Sequence, residues 1–291
     1  MPQVTVYGAG IFGLSIAWFC LKKGAQVTVI DPGGPGAGAS GGIVGALAPH
    51  VPENWNDKKA FQFDSLIMAE GFWSEVEAIS GISSGYAHTG RLQPVTDEAA
   101  LDLARARAET AKELWQGKAL WDVIEAGDAG FAPATPTGLL IRDTLSARLH
   151  PRRACASLAG AITARGGVIA QEGAPGGKII HATGVAGLEE LTRAYGKTIG
   201  NGVKGQGALL YFAAPDMPQL FADAIHVVPH ADGTTAIGST SEREYDDPVG
   251  TDAQLDEVIE RAMRAVPVLH GARVVERWAG LRPRARSRAP M

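Results

Sequence analysis

The chain has 291 residues, of which 45% are apolar and 20% are charged, so it can bury a large core and its composition excludes a disordered or fibrous protein. This length favours two domains. A net charge of -4 provides no general basic field for nucleic acid, and no run of about 20 apolar residues could cross a bilayer.

The first 45 residues read as the opening of an α/β fold. Alternating apolar residues predict strands from Gln3 to Tyr7 and from Gln26 to Ile30, with a helix from Ile11 to Lys23 between them. The stretch from Pro32 to Gly45 is rich in glycine and connects this βαβ unit to the rest of the chain.

The middle of the chain alternates helices with short strands. The pattern predicts helices over Asp57 to Ile79, Asp97 to Trp115 and Pro151 to Arg165, and strands over Gly90 to Val95, Gly138 to Ile141 and Lys178 to Ala182. Gly81 is expected to end the first of these helices, and the proline suits the first turn of the third.

The last third of the sequence predicts an antiparallel sheet. Strand character recurs over Gly207 to Ala213, Ile225 to Pro229 and Thr234 to Gly238, and Asp232-Gly233 provides a hairpin turn between the last two. An amphipathic helix follows from Thr251 to Val266, and a final strand from Arg273 to Trp278. The whole pattern indicates a mixed α/β protein.

The most specific motif is the glycine sequence between the first strand and the first helix. Gly8, Gly10 and Gly13 form a G-x-G-x-x-G pattern, and Asp31 ends the second strand about 20 residues later. The glycines allow a tight turn, close approach of a pyrophosphate to the helix N-terminus and close helix–strand packing, and Asp31 can accept from a ribose hydroxyl. This pattern predicts a dinucleotide site and leaves open whether the dinucleotide is NAD or FAD.

Four segments resemble the D-amino-acid oxidase and glycine oxidase family of FAD-dependent oxidoreductases. They are the opening VTVYGAGIFGLSIAW with Asp31, the segment from Gly38 to Gly42, the strand and turn from Ile179 to Gly184, and the pair IHVVPHADGTTAIG and WAGLRP near the end. The resemblance implies FAD as the cofactor. It implies cofactor contacts from Gly8, Gly10, Ile11, Phe12, Gly13, Asp31, Ala39, Ser40, Gly41, Thr183 and Gly184.

The resemblance also implies how the chain is divided. A discontinuous Rossmann-type FAD-binding domain is expected to comprise residues 1–55, 140–200 and 270–291. A substrate domain built on an antiparallel sheet is expected to comprise residues 56–139 and 201–269.

Arg282 is the first candidate catalytic residue. In the family that the chain resembles, the arginine of the W-A-G-L-R-P segment holds the substrate carboxylate, and Arg282 occupies the matching position. A forked guanidinium can bind a carboxylate through two charge-assisted hydrogen bonds and so align the substrate carbon with the flavin. The alternative is that Arg282 is a solvated arginine of the cationic tail.

Two histidines complete the candidate catalytic set. His226 matches a position where glycine-oxidase-like enzymes often carry an aromatic hydroxyl, and strand alternation places it on one face with Val228 and away from Ile225 and Val227. His50 follows the glycine-rich segment that resembles a flavin loop. Each could instead be an ordinary hydrogen-bonded residue.

The sequence therefore predicts an FAD enzyme that oxidises a small amino acid or secondary amine, such as glycine, sarcosine or a D-amino acid. One alternative is an FAD-dependent tRNA wobble-uridine modification enzyme, which the segment from Ala39 to Pro49 resembles, but the acidic balance disfavours a nucleic-acid partner. The other is an incomplete nucleotide-binding module without turnover.

The remaining expectations concern the surroundings of the protein. Only Cys20 and Cys155 are present, without metal-like spacing, so neither a disulfide framework nor a metal site is predicted. The N-terminus lacks the pattern of a signal peptide, which favours the cytoplasm and no membrane partner. Compared with the family it resembles, the chain is short after Ile169 and stops at Met291. This predicts an open flavin site, completed by a partner or a homo-oligomer.

Overall fold

The computed structural model describes residues 1–127 and 130–287. Its first layer is a four-stranded parallel sheet in the order β8-β2-β1-β9. The strands are β1 (Gln3–Tyr7), β2 (Gln26–Ile30), β8 (Val168–Ala170) and β9 (Lys178–His181). Short β3 (Ala46–Leu47) and β7 (Ala147–Arg148) form a separate antiparallel pair.

Helices cover this parallel sheet and supply its core. Helix α1 (Ile11–Lys22) and helix α4 (Pro151–Ala164) pack with the strands around fully buried residues such as Trp18, Val29 and Leu158. These side chains pack as a continuous apolar cluster, which holds the turn before α1 in a fixed position.

The second layer is an eight-stranded mixed sheet in the order β14-β10-β13-β12-β11-β4-β6-β5. All neighbouring pairs are antiparallel except β4 with β11. The strands are β4 (Arg91–Pro94), β5 (Trp121–Glu125), β6 (Leu139–Asp143), β10 (Gly200–Tyr211), β11 (Gln219–Ala222), β12 (Ile225–Pro229), β13 (Thr234–Gly238) and β14 (Arg273–Ala285).

The remaining helices have clear start and stop signals. Helix α2 (Asp57–Ser80) begins where the Asn56 side chain accepts from two backbone amides, and it ends at Gly81, whose φ of 68° suits a glycine C-cap. Helix α3 (Glu98–Leu114) is capped in the same way by Asp97. Helices α5 (Gly184–Tyr195) and α6 (Ala253–Ala265) complete the set.

The two faces of the large sheet have different partners. Ile225 and Val227 pack against Leu255 and Val258 of α6. On the other face, Val228 packs with Ile43, Val44, Ala46 and Trp278, so the glycine-rich connector lies over the sheet. The alternation predicted for β12 is confirmed by this division.

The fold class predicted from the sequence is confirmed, and the boundaries of several strands differ. β14 runs seven residues beyond the predicted end at Trp278, because β10 pairs with it as far as Gly200 opposite Ala285. The short strands β5 and β11 had no distinctive pattern. The two-domain division stays a prediction; β6 and β14, which it assigned to the FAD-binding part, hydrogen-bond within the large sheet.

No helix in the described ranges is both long enough and apolar enough to cross a membrane.

Candidate active site

The glycines before α1 permit two close backbone approaches. Gly8 has a φ of 103°, and a Cβ there would lie 2.3 Å from the carbonyl oxygen of Ala182. A Cβ at Gly13 would lie 1.8 Å from the carbonyl oxygen of Gly8. The turn, the helix and β9 can therefore meet only if both positions are glycine.

Asp31 braces this turn from the end of β2. Its carboxylate accepts hydrogen bonds from the Ala9 amide at 2.7 Å and from the Gly33 amide at 2.9 Å. Each oxygen keeps further acceptor capacity, so the half-buried carboxylate can also receive a ribose hydroxyl. Its position agrees with the ribose-binding role that the motif predicts.

Ser40 joins the glycine-rich connector to the start of α1. It lies in a short 3-10 turn, Ala39–Gly41, and its hydroxyl accepts from the Ile11 amide at 2.9 Å. Gly10 faces this hydroxyl, because a Cβ there would lie 3.2 Å from Ser40 Oγ. Predicted contacts from two separate segments thus meet at one helix end.

The N-terminus of α1 has the chemistry of an anion site. Its first turn contains no acidic residue, and the amides of Phe12 and Gly13 have no intrahelical acceptor because they belong to the first turn. Phe12 is exposed, with 64% of its surface accessible. The positive end of the helix dipole and these amides suit a pyrophosphate.

Thr183 and Gly184 lie directly beyond β9. Thr183 precedes α5 as its N-cap residue, and Gly184 has a φ of 60°. The adjacent Ala182 amide donates to the Tyr7 carbonyl, which continues the pairing of β9 with β1. The predicted return of the chain to the nucleotide turn is therefore present.

Two neighbouring glycines, Gly207 and Gly238, lie in a row of paired residues that crosses the large sheet under the connector. His226 pairs with Gly238, Gly238 with Gly207, and Gly207 with Trp278, so all four lie on one face. Val44 contacts this row, since a Cβ at Gly238 would lie 3.0 Å from its Cγ2. The missing side chains let the connector approach the sheet closely.

Trp278 links this row to the predicted cofactor segment. Its ring lies over Gly280, where a Cβ would be 2.5 Å from Trp278 Cζ2. A Cβ at Gly42 would be 3.3 Å from Trp278 Cη2. The indole thus fills the space between β14 and the end of the Ser40 turn.

Arg282 lies four residues, or two repeats of the pleat, beyond Trp278 on β14 and therefore on the same face. Its Nη2 donates to the Thr240 carbonyl at 2.8 Å, and its Nη1 lies 3.5 Å from Ser239 Oγ. A Cβ at Gly205 would lie 3.2 Å from Nη2. Arg282 is therefore an exposed guanidinium held over a glycine on a strand rather than a residue of a loose tail.

His226 lies on the same face, at the other end of the glycine row. Its ring packs at a tilt of 46° against Phe221 with 4.7 Å between centroids, and its Nδ1 has no partner within residues 1–127 and 130–287. Burial, helped by the nearby Arg91 charge, lowers the pKa of His226 to about 4. The imidazole is neutral at physiological pH and can exchange a hydrogen bond with a ligand.

His50 occupies a different environment. It is exposed on the loop after β3, and its backbone amide donates to Gln62 of α2 at 2.6 Å. The structure brings Arg282 and His226 to one sheet face, whereas the hydrogen bond of His50 anchors it to α2. Its catalytic role stays a prediction with weaker geometric support.

Several residues that support the site carry no clear signal in the sequence. Arg152 of α4 donates to the Gly41 carbonyl at 2.7 Å and pairs in bidentate fashion with Glu276 of β14. It therefore ties the Ser40 turn to the strand that carries Arg282. The sequence offers one indication of this arrangement. Glycines at the alternate positions 205 and 207 predict a sheet face with no side chains at these two places.

Comparison with known proteins agrees with this architecture. A family model described as FAD dependent oxidoreductase matches residues 3–291. The chain belongs to the FAD-dependent oxidoreductase family. It is 27% identical to glycine oxidase of Pseudomonas putida over 97% of this chain and 82% of that protein. It is 26% identical to the bifunctional protein ThiO/ThiG of Trichormus variabilis over 99% of this chain, which spans about half (47%) of that longer protein.

Among solved structures, glycine oxidase from Geobacillus kaustophilus has the same fold. It matches with a TM-score of 0.81 at 20% identity, covering 100% of this chain and 85% of that one. The predicted cofactor, FAD, is confirmed by the family. The N-terminus of α1, Asp31 and the Ser40 turn are compatible with this extended dinucleotide.

Proposed function

We propose that this protein oxidises a small amino acid or secondary amine with FAD, and that Arg282 binds the substrate carboxylate. Two of the similar proteins, those of Pseudomonas putida and Geobacillus kaustophilus, are glycine oxidases. The observation that carries the proposal is the position of Arg282. It lies on the sheet face that Trp278 connects to the Gly42 end of the flavin segment.

The protein groups would act by positioning. Arg282 has donors beyond those held by Ser239 and Thr240, and these can pair with a carboxylate. Bound FAD would supply the oxidising chemistry, as the acceptor of a hydride equivalent from the substrate carbon. Loss of that hydride would leave an iminium ion, which water would hydrolyse to a carbonyl product and ammonium or an amine.

Neutral His226 would orient the substrate rather than carry its charge. Within the described residues its Nδ1 has no hydrogen-bond partner, and its side chain lies on the same sheet face as Val228, so a bound substrate could supply that partner. A small substrate amine is a suitable partner. A larger side chain on the substrate would compete with the Phe221–His226 pair for this space.

The test compares substrates with and without a carboxylate. In Arg282→Ala, kcat/KM for D-alanine should fall by about a hundredfold or more, the equivalent of losing one charged hydrogen bond of about 3 kcal/mol. Activity toward ethylamine, which has no carboxylate, should change little. Arg277→Ala is the matched control, since Arg277 lies on the same strand but pairs with Asp256.

Equal losses for D-alanine and ethylamine would remove Arg282 from the carboxylate site. The cytoplasmic location stays a prediction, and so does a homo-oligomer or partner that contributes to the flavin site. The choice among glycine, sarcosine and D-amino acids as the physiological substrate stays open.

A further inference from the structure

A second cluster of chemically active side chains lies away from the candidate active site. His150 precedes α4, and His230 and Asp232 lie at the β12–β13 turn. One ligand atom from each of the three lies within 4.8 Å of the others. His230 directly follows β12 and is four residues from His226, a distance of about 13 Å along an extended chain.

The two imidazoles are buried without ordinary partners. His230 is only 1% exposed and His150 9% exposed, and their rings lie 4.5 Å apart. Among residues 1–127 and 130–287, neither nitrogen of His230 nor Nδ1 of His150 has a hydrogen-bond partner. Buried polar atoms without partners are uncommon, and a bound ion is one explanation for them.

We propose that His150, His230 and Asp232 form a binding site for a divalent transition metal ion such as Zn²⁺. Two imidazoles and one carboxylate are a ligand set suited to such ions. The site is independent of the proposed oxidase function, because none of its ligands belongs to the candidate active site.

The protonation states suit metal binding. Burial lowers the pKa of both His150 and His230, in the latter to about 4, so both rings present neutral nitrogens at pH 7. Partial burial raises the pKa of Asp232, but the hydrogen bonds from Thr234 together with His230 and His150 outweigh it, so the pKa is lowered. All three ligands are thus in the form that a metal requires.

The carboxylate of Asp232 is positioned with one oxygen free to coordinate. Its Oδ1 accepts from the amide and hydroxyl of Thr234, at 3.1 and 2.7 Å. Tetrahedral coordination at about 2.1 Å places ligand atoms roughly 3.4 Å apart, so the present separation must close by about 1.4 Å or less. Asp232 is exposed and can make that adjustment.

Local charge does not prevent a cation from binding. Buried Arg148 and exposed Arg153 approach the cluster, but Arg148 donates to the Gly85 and Pro215 carbonyls and Arg153 to the Ser83 carbonyl. Asp216 and Asp232 act on Arg148 as opposing charges. Arg152 also acts on His150, and it pairs with Glu276, so the three arginines near the cluster face three carboxylates, those of Asp216, Asp232 and Glu276.

A cavity gives a metal and its water access to the cluster. It has a volume of about 220 Å³ and is lined by Ser83, Gly85, His150, Arg153, His230, Ala231 and Asp232. A bound ion would join the start of α4 to the end of the large sheet. We therefore expect it to stabilise the folded protein.

The test is a calorimetric titration of chelator-treated, flavin-loaded protein with Zn²⁺. The wild type should bind one ion per chain, and the Tm should rise on adding Zn²⁺. His150→Gln and His230→Gln should each weaken binding by more than about a hundredfold, since even loss of an outer partner of a metal ligand costs 10- to 100-fold. His270→Gln is the control, because His270 is an exposed histidine outside the cluster.

Asp232→Asn is a second variant, in case the histidine variants fail to fold. It alters an exposed side chain and keeps an oxygen acceptor for Thr234, so it should fold. It should retain the far-ultraviolet spectrum and flavin content of the wild type but bind Zn²⁺ more weakly. Wild-type binding no tighter than that of His230→Gln and Asp232→Asn, or loss of binding in His270→Gln, would overturn the proposal.

Discussion

Replacing Ser40 by alanine should lower both the stability of the apoprotein and its affinity for FAD. Ser40 Oγ lies 2.9 Å from the Ile11 amide and acts as a cap that arrives from another segment. Losing a helix cap costs about 1 kcal/mol, which corresponds to about a fivefold change in an equilibrium constant. We expect the apoprotein Tm to fall by about 2 °C, given the size of the chain.

The Kd for FAD should rise at least as much, because the same hydroxyl holds the Ala39–Gly41 turn against the helix end. The assays are thermal unfolding of the apoprotein and titration with FAD followed by flavin fluorescence. Ser65→Ala is the matched control, since Ser65 Oγ donates to the Phe61 carbonyl of its own helix α2. Unchanged Tm and unchanged Kd in Ser40→Ala would refute the role assigned to this contact.

Three further predictions test other contacts. Gly205→Ala should raise KM for amino acids several-fold with little effect on ethylamine, because the new Cβ lies 3.2 Å from Arg282 Nη2. Gly71→Ala in helix α2, where the described residues leave open space around a new Cβ, is the control. Arg152→Ala should lower the FAD content of purified protein, since the Gly41 carbonyl loses its donor; Arg153→Ala should not. His226→Gln should reduce the decrease in the free energy of unfolding that acid causes. With a folded pKa of about 4 against an ordinary 6.5, neutral His226 stabilises the fold above pH 6.5 and loses that contribution as the pH falls toward 4. Between pH 7 and pH 5 the free energy of unfolding, measured with urea, should fall by about 2 kcal/mol more in the wild type than in the variant. An equal fall in both proteins would contradict the burial of His226.

The nucleotide half of the fold could be read from the sequence because its constraints are local. Gly13 and Asp31 contact Gly8 and Ala9 of the same βαβ unit, so their spacing alone predicts these contacts. The approach of Gly8 to Ala182 joins this unit to β9 and follows from the glycine pattern only in part. The place of Ser40 came from a resemblance, and its contact with Ile11 agrees with that expectation.

The other half depends on pairings that are distant in sequence. Arg282 could have been a tail residue by its neighbours alone, and only the long pairing of β14 with β10 makes it part of a sheet face. The Arg152–Glu276 pair and the His150–His230 contact join residues from separate elements with no motif between them. Sequence spacing carries no record of such contacts.

The most direct test of the account is anaerobic reduction of the bound flavin. Purified protein should be yellow, should release FAD on denaturation, and should lose its oxidised-flavin absorbance when mixed with glycine, sarcosine or D-alanine without oxygen. Arg277→Ala should bleach at the wild-type rate and Arg282→Ala far more slowly. A stably bound FAD that none of a panel of small amino acids and secondary amines reduces would contradict the proposed oxidation.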